Sequence, residues 1–259
     1  MTTLIATFVI FGLLIGSFLN VCICRLPENL SVVFPRSHCP SCKKQIAAYD
    51  NIPILSFLFL RGRCRTCQLP ISWQYPLVEA LNAIGYFIIL NHFGLTAETP
   101  IYAVFFSALL VITVIDLKHQ IIPDVITLPG IPLALLAASF ALPTGFVNGV
   151  FGLLAGFGLF YLIATLSVLI MKKEGMGGGD IKLMAMIGAL LGWKAVLLTT
   201  FVASLSGSVI GLFLILTRLR SRTDPIPFGP FLVLGALIFI FFGNDLLNWY
   251  FQRYSYNPI

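Results

Sequence analysis

Long apolar runs alternate with short basic clusters along the chain, and this alternation predicts its elements. Residues 1–24 carry no charge, and further apolar runs cover 75–93, 99–115, 124–142, 145–171, 181–198, a stretch ending at Thr217, and 228–243. A helix rising about 1.5 Å per residue needs about 20 apolar residues to cross the hydrocarbon layer. The pattern therefore predicts an all-α polytopic membrane protein with about eight transmembrane helices. The sixth run is the least regular, because its uncharged core, 183–193, is only 11 residues long. By length alone it reads as a re-entrant segment.

Composition sharpens that picture. Of 259 residues, 58% are hydrophobic and 10% charged, and the mean hydropathy is +0.97. Soluble domains carry about 25% charged residues. The net charge of +6 then reads as membrane topology and not as a nucleic-acid surface. Fourteen of the sixteen lysines and arginines fall in 25–75, 117–120, 172–182 and 218–226, which are alternate loops if the N-terminus is outside. The positive-inside rule makes those loops cytoplasmic. It also favours a true crossing for the sixth run, since a re-entrant one would move Arg218, Arg220 and Arg222 to the outer face. The first run is expected to stay uncleaved, because positive charge follows it at Arg25 and none precedes it. Gly12 and Gly16 suit close helix packing, as do the pairs Gly152/Gly156 and Gly207/Gly211.

Residues 25–75 change character. Seven basic residues stand against Glu28 and Asp50, and two CxxC pairs, Cys39/Cys42 and Cys64/Cys67, are separated by 21 residues. Such knuckles can converge four thiolates on a tetrahedral zinc. Disulfides are the alternative, disfavoured in a reducing cytoplasm. With four protein thiolates no position stays open for water, so the expected zinc is structural. His38 beside the first knuckle is expected to be a bystander. The apolar stretch 51–60 reads as an interfacial segment. Three parts follow: a first helix over 1–24, a cysteine loop over 25–75 and a membrane domain over 76–259.

Carboxylates at the ends of spans supply candidate chemistry. Asp116 closes the third run and Asp180 opens the sixth, and the topology places both on the cytoplasmic side. Charged groups at membrane helix ends are costly, which makes them functional candidates. Two carboxylates in close range share one proton, so that one acts as base on water while the other polarises a carbonyl. Asp124 and Glu174 compete for these roles. Asp124 follows Pro123 at a helix start and suits the helix dipole or a cap. His119 is expected to be solvated. The run Gly177-Gly178-Gly179 before Asp180 suggests a hinge that swings this aspartate toward Asp116.

These blocks occur in a recognisable order: Gly16-Ser17-Phe18-Leu19-Asn20, the paired CxxC loop with Arg61-Gly62-Arg63-Cys64, Tyr75-Pro76-Leu77-Val78-Glu79, Ile115-Asp116, Ile122-Pro123-Asp124, Gly175-Met176-Gly177-Gly178-Gly179-Asp180-Ile181-Lys182, and Pro227-Phe228-Gly229-Pro230. Together they resemble the type IV prepilin leader peptidases, GxGD-type aspartic proteases that also serve type II secretion. The resemblance implies Asp116 and Asp180 as the catalytic pair. It implies a bacterial inner-membrane enzyme that removes the short basic leader of prepilins and pseudopilins after a glycine. It further implies N-methylation of the new terminus from S-adenosylmethionine by a loop of the bifunctional type, with Gly62 and Glu79 as candidate donor-site residues. Peptidase activity without methylation is the nearest alternative. An ion- or proton-coupled transporter and a zinc-bearing assembly scaffold are the readings from other classes. Expected partners are pilin-like substrates and membrane lipid, with no nucleic acid.

Overall fold

The computed structural model describes residues 2–172, 176–219, 221 and 226–255. Nine α-helices follow one another among them: α1 (Thr2–Arg25), α2 (Leu55–Phe59), α3 (Gln74–Phe93), α4 (Glu98–His119), α5 (Asp124–Phe140), α6 (Gly145–Met171), α7 (Gly178–Leu191), α8 (Trp193–Leu216) and α9 (Gly229–Ser255). Extended pairing among the described residues is limited to two isolated bridges. Four stretches are long and apolar enough to cross a membrane: 2–28, 98–119, 145–170 and 193–216. Residues 124–140 and 229–243 form shorter apolar helices.

Seven of the eight expected spans correspond to a helix within a few residues at most boundaries, and the eighth continues well beyond Gly243. The sixth differs. Instead of running through 198, α7 stops at Leu191, and Gly192 breaks the chain at φ +86° before α8 starts at Trp193. That backbone region is cheap only for glycine. At 14 residues, α7 is about 21 Å long. All residues from Leu183 to Leu191 are buried, so its apolar run serves a protein core.

The chain forms two compact units, 1–115 and 116–259, with the boundary inside α4. In the first unit α1 lies directly against α3. A Cβ at Gly12 would sit 2.7 Å from the Ala83 Cα, and one at Gly16 would sit 2.7 Å from the Glu79 Cα. The expected small-residue packing is therefore present. Buried polar groups pin these helices together: the Asn82 amide donates to the Gly12 carbonyl (2.8 Å), and the Ser107 hydroxyl of α4 donates to the Asn82 carbonyl oxygen (2.9 Å). Interhelical hydrogen bonds of this kind contribute about 1 kcal/mol each in a membrane.

In the second unit α7 is the central helix, with α5, α6, α8 and α9 against it. Gly152 and Gly156 of α6 abut the Gly188 and Met184 carbonyls of α7. This pair thus packs within the chain. Gly207 and Gly211 of α8 lie beside Phe231 and Ile226.

Candidate active site

Asp116 lies in the last turn of α4, at the start of the second unit, and is 5% exposed. Its Oδ2 accepts a hydrogen bond from the Gly229 N–H at 2.9 Å. Gly229 is the first residue of α9. Its N–H has no intrahelical acceptor and stands at the positive end of the helix dipole. A Cβ at this position would lie 2.7 Å from the same carboxylate oxygen, so only glycine allows the approach. The sequence pattern included Pro227-Phe228-Gly229-Pro230 without a role for it; the structure gives Gly229 one.

Asp180 is the third residue of α7 and 9% exposed. The Gly177 carbonyl accepts its N–H at 3.1 Å, and Gly177 lies beside its carboxylate, where a Cβ would stand 3.4 Å from Oδ2. The Asp116 carboxylate acts electrostatically on that of Asp180, so the two lie in one field. Ile122 fills the space beside them: its Cβ would meet a Cβ at Gly179 at 2.7 Å, and its Cδ1 one at Gly229 at 3.4 Å. Gly178 and Gly179 already belong to α7. The expected flexible hinge is therefore a helix N-terminus, and Gly179 is needed because Ile122 leaves no room for a side chain.

The competing carboxylates are placed elsewhere. Asp124 stands in the first turn of α5 without capping it, since the N-cap residue is Pro123. Both its oxygens accept from the Lys182 ammonium at 2.7 Å. Lys182 is two residues beyond Asp180, so this ion pair ties α5 to the aspartate-bearing end of α7. His119 is exposed. Glu174 lies outside the described residues.

In the first unit the four cysteines converge. Their Sγ atoms all lie within 4.8 Å of one another, with 3.8 Å between Cys39 and Cys67. Zinc–sulfur bonds of about 2.3 Å in a tetrahedron require sulfur–sulfur edges of about 3.8 Å. The donor set and its spacing fit zinc, and all six cysteines of the chain are free thiols. The two knuckles are copies at an offset of 25 residues. In the first, Cys39 N–H donates to the Lys44 carbonyl, Lys43 N–H to the Cys39 carbonyl and Ile46 N–H to the Ser37 carbonyl. In the second, Cys64, Gln68 and Ile71 donate to Leu69, Cys64 and Gly62. Lys43 and Gln68 both adopt left-handed φ, +59° and +57°. Sequence reading found the cysteines but missed this repeat, whose residues between the pairs differ.

Backbone donors tune the thiols. The N–H groups of Cys42 and Ser41 lower Cys39 to about 6, and those of Cys67 and Thr66 lower Cys64. Cys67 accepts from the Leu69 N–H, yet desolvation and the surrounding thiols push it up to about 11. A cation is the natural means of holding all four as thiolates. His38 contacts the Arg36 carbonyl through Nδ1 at 3.2 Å and is absent from the cluster. Arg65 beside Asp50 forms a two-pronged ion pair at 2.6–3.1 Å across the module.

The two donor-site candidates have different surroundings. Gly62 (φ +68°) lines an open groove of about 390 Å³ with Phe57, Arg61, Arg63 and Trp73. Glu79 is 6% exposed, and its Oε2 accepts the Ile54 N–H at 2.7 Å. That carboxylate is engaged by the protein itself.

Two family models match the chain. Residues 10–93 match the bacterial peptidase A24 N-terminal domain, and residues 103–212 match the type IV leader peptidase family. The prepilin leader peptidase/N-methyltransferase of Pseudomonas aeruginosa is 35% identical over 94% of this chain and 92% of its own. The Aeromonas hydrophila protein of the same name is 38% identical over 95% and 93%, and that of Myxococcus xanthus 42% over 83% and 65%. No solved structure matches the chain. Two family domains in order, and the Pseudomonas and Aeromonas relatives aligned over more than nine-tenths of their own length, establish that the chain belongs to the type IV leader peptidase family.

Proposed function

We propose that this protein is a prepilin leader peptidase/N-methyltransferase whose peptide cleavage is performed by Asp116 and Asp180. The observation that carries the reading is the pair of buried aspartates in one electrostatic field, with Asp116 anchored by the Gly229 N–H. Two carboxylates within hydrogen-bonding range share one proton, and we assign that state to this pair. The ionised member removes a proton from water, whose oxygen attacks the carbonyl of the glycine before the scissile bond. The protonated member donates to the carbonyl oxygen. Collapse of the tetrahedral intermediate breaks the C–N bond, and the proton taken from water reaches the leaving amine.

The substrate class is prepilins and pseudopilins, cut where a short basic leader meets the apolar segment. Eight crossings with a periplasmic N-terminus put both aspartates at the cytoplasmic face of a bacterial inner membrane. The distribution of lysine and arginine supports that topology. The proposed division keeps 1–24 as first helix, 25–75 as the methyltransferase-associated loop and 76–259 as the peptidase domain.

Cys39, Cys42, Cys64 and Cys67 would hold a structural zinc, which crosslinks the two knuckles. S-adenosylmethionine, when bound, supplies a methyl cation equivalent to the new α-amine. Of the two candidates, Gly62 faces a groove whose Arg61 and Arg63 suit a carboxylate and whose Phe57 and Trp73 suit a sulfonium or a flat ring. Glu79 faces no such space.

The deciding experiment follows a purified prepilin in detergent with wild type, Asp116→Asn and Asp180→Asn, scoring methylation in parallel. Loss of cleavage in both variants, with methylation of a pre-cleaved pilin intact, is expected. Cleavage by either variant refutes the dyad; cleavage without any methylation in wild type leaves a peptidase alone.

A further inference from the structure

The cysteine module is joined to the membrane helices of its unit at a strained point. Ile54 is the N-cap residue of α2 and holds φ +59°, ψ −49°, a conformation that β-branched residues strongly resist. The Leu55 N–H closes back on the Pro53 carbonyl, forming the rare γ-turn of positive φ. Such strain persists only where surrounding contacts enforce it.

One such contact comes from a buried acid that the proposed chemistry does not use. Glu79 of α3 receives the Ile54 N–H at 2.7 Å, and its own Cα lies against Gly16 of α1. At its other end the turn is held by Ser56, whose hydroxyl accepts the Ile52 N–H at 3.0 Å and donates to the Tyr49 carbonyl at 2.9 Å. From Ile54 the chain runs through α2 into the second knuckle: Gly62 N–H donates to the Phe57 carbonyl, and Cys64 follows two residues later. The direction of that turn thus sets where Arg61, Gly62 and Cys64 stand relative to α1 and α3.

We propose that Glu79 is a positioning residue, a clamp that holds Ile54 in its strained turn and thereby fixes the cysteine module on α1 and α3 for methyl transfer. The assignment of methyl transfer rests on the reading of residues 25–75 given above; the clamp itself rests on the geometry. No covalent step passes through Glu79, and its buried carboxylate works by accepting the Ile54 backbone N–H.

The test uses the full-length, zinc-loaded protein in detergent. Glu79→Ala, Glu79→Gln, Ile54→Gly and the double variant Glu79→Ala/Ile54→Gly are compared by amide hydrogen exchange over 52–60, by prepilin cleavage, and by kcat and KM for methylation of a pre-cleaved pilin. In Glu79→Ala, exchange at Ile54 and through α2 is expected to quicken at least tenfold. Methyl transfer falls at least tenfold, mostly in kcat, while cleavage stays within about threefold. Glu79→Gln retains a carbonyl acceptor and recovers most of the loss. Glycine adopts positive φ freely, so Ile54→Gly in the Glu79→Ala background also recovers protection and methyl transfer. Unchanged exchange in Glu79→Ala, or no recovery by Ile54→Gly, overturns the clamp. A wild-type enzyme without methyl transfer overturns the reading of the loop instead, and the exchange results then judge the clamp alone.

Discussion

Replacing Gly229 by alanine tests the active site most directly, because one methyl group reaches the anchored carboxylate. The added Cβ would stand 2.7 Å from Asp116 Oδ2 and 3.2 Å from its Cγ, where ordinary contact begins at 3.4 Å. Relief therefore requires about 0.7 Å of separation. Moving the oxygen straight away from the Cβ by that amount lengthens the 2.9 Å N–H···O distance to about 3.4 Å, at the weak edge of hydrogen-bonding range. A hydrogen bond to a charged group contributes about 1.5–3 kcal/mol, equivalent to roughly 10- to 150-fold in rate if the interaction serves the transition state. Displacement of a catalytic group by about 1 Å costs about 100-fold on its own. Cleavage of a purified prepilin, measured as kcat/KM, should fall about 10- to 100-fold in Gly229→Ala. Gly158→Ala is the control, since a Cβ there meets nothing within 4 Å. Thermal unfolding of both variants should stay near wild type. If Gly229→Ala cleaves within twofold of wild type, the α9 N-terminus does not hold the reactive carboxylate, and the assignment of Asp116 loses its main geometric support.

Four further outcomes are expected. Gly178→Ala should cleave normally, since nothing lies within 4 Å of a Cβ there, whereas Gly179→Ala should lose about tenfold or more because Ile122 stands 2.7 Å away; equal tolerance would remove the steric account of the glycine run. Cleavage should follow a bell-shaped pH profile, falling at low pH when both aspartates are protonated and at high pH when both are ionised; a single-limbed profile would count against a shared proton. Asp124→Asn should slow cleavage only about two- to fivefold, in keeping with a half-exposed ion pair contributing at most about 1 kcal/mol, and the swap of Asp124 with Lys182 should restore it; a hundredfold loss would point to Asp124 in the chemistry. Metal analysis should find one zinc per chain, and Cys39→Ser should lose it and expose residues 37–71 to protease; full retention of protection without metal would make the cluster four free thiols.

Much of this fold was legible because membrane helices announce themselves. A run without charge, such as 1–24 or 145–171, has few alternatives, and its flanking arginines and lysines mark its ends. Legibility failed at α7. The uncharged core of the sixth run, 183–193, is too short to read as a span by length, and the burial of α7 among neighbouring helices is a property that hydropathy does not report. The break at Gly192 also escaped notice, because one glycine within an apolar run has the same appearance whether it packs or turns. The cysteines were found by type and spacing, which are local properties. Their duplication was hidden because it resides in backbone hydrogen bonds and in left-handed residues as unlike as Lys43 and Gln68.

The carboxylates show where site reading reaches its limit and why. Asp116, Asp180 and Glu79 are all buried, and each requires donors, since an unpaired charge in such surroundings is prohibitive. Each lies against the start of a helix: the Gly229 N–H of α9 bonds to Asp116, the Ile54 N–H before α2 bonds to Glu79, and Gly177, the N-cap of α7, lies beside the Asp180 carboxylate. Side-chain partners would have left a charged residue in the sequence as a clue. Helix starts leave only their punctuation, here Pro227-Phe228-Gly229, Gly177-Gly178-Gly179 and Pro53-Ile54. Two of the three contain the glycine that close approach or tight packing demands, and both adjoin the proposed dyad. The third uses isoleucine at positive φ, where glycine would be unstrained. That choice stores strain at the junction of the cysteine module with its helices and makes the turn depend on Glu79. A rigid anchor had no need of it; a junction whose geometry is set by one acid on another helix does.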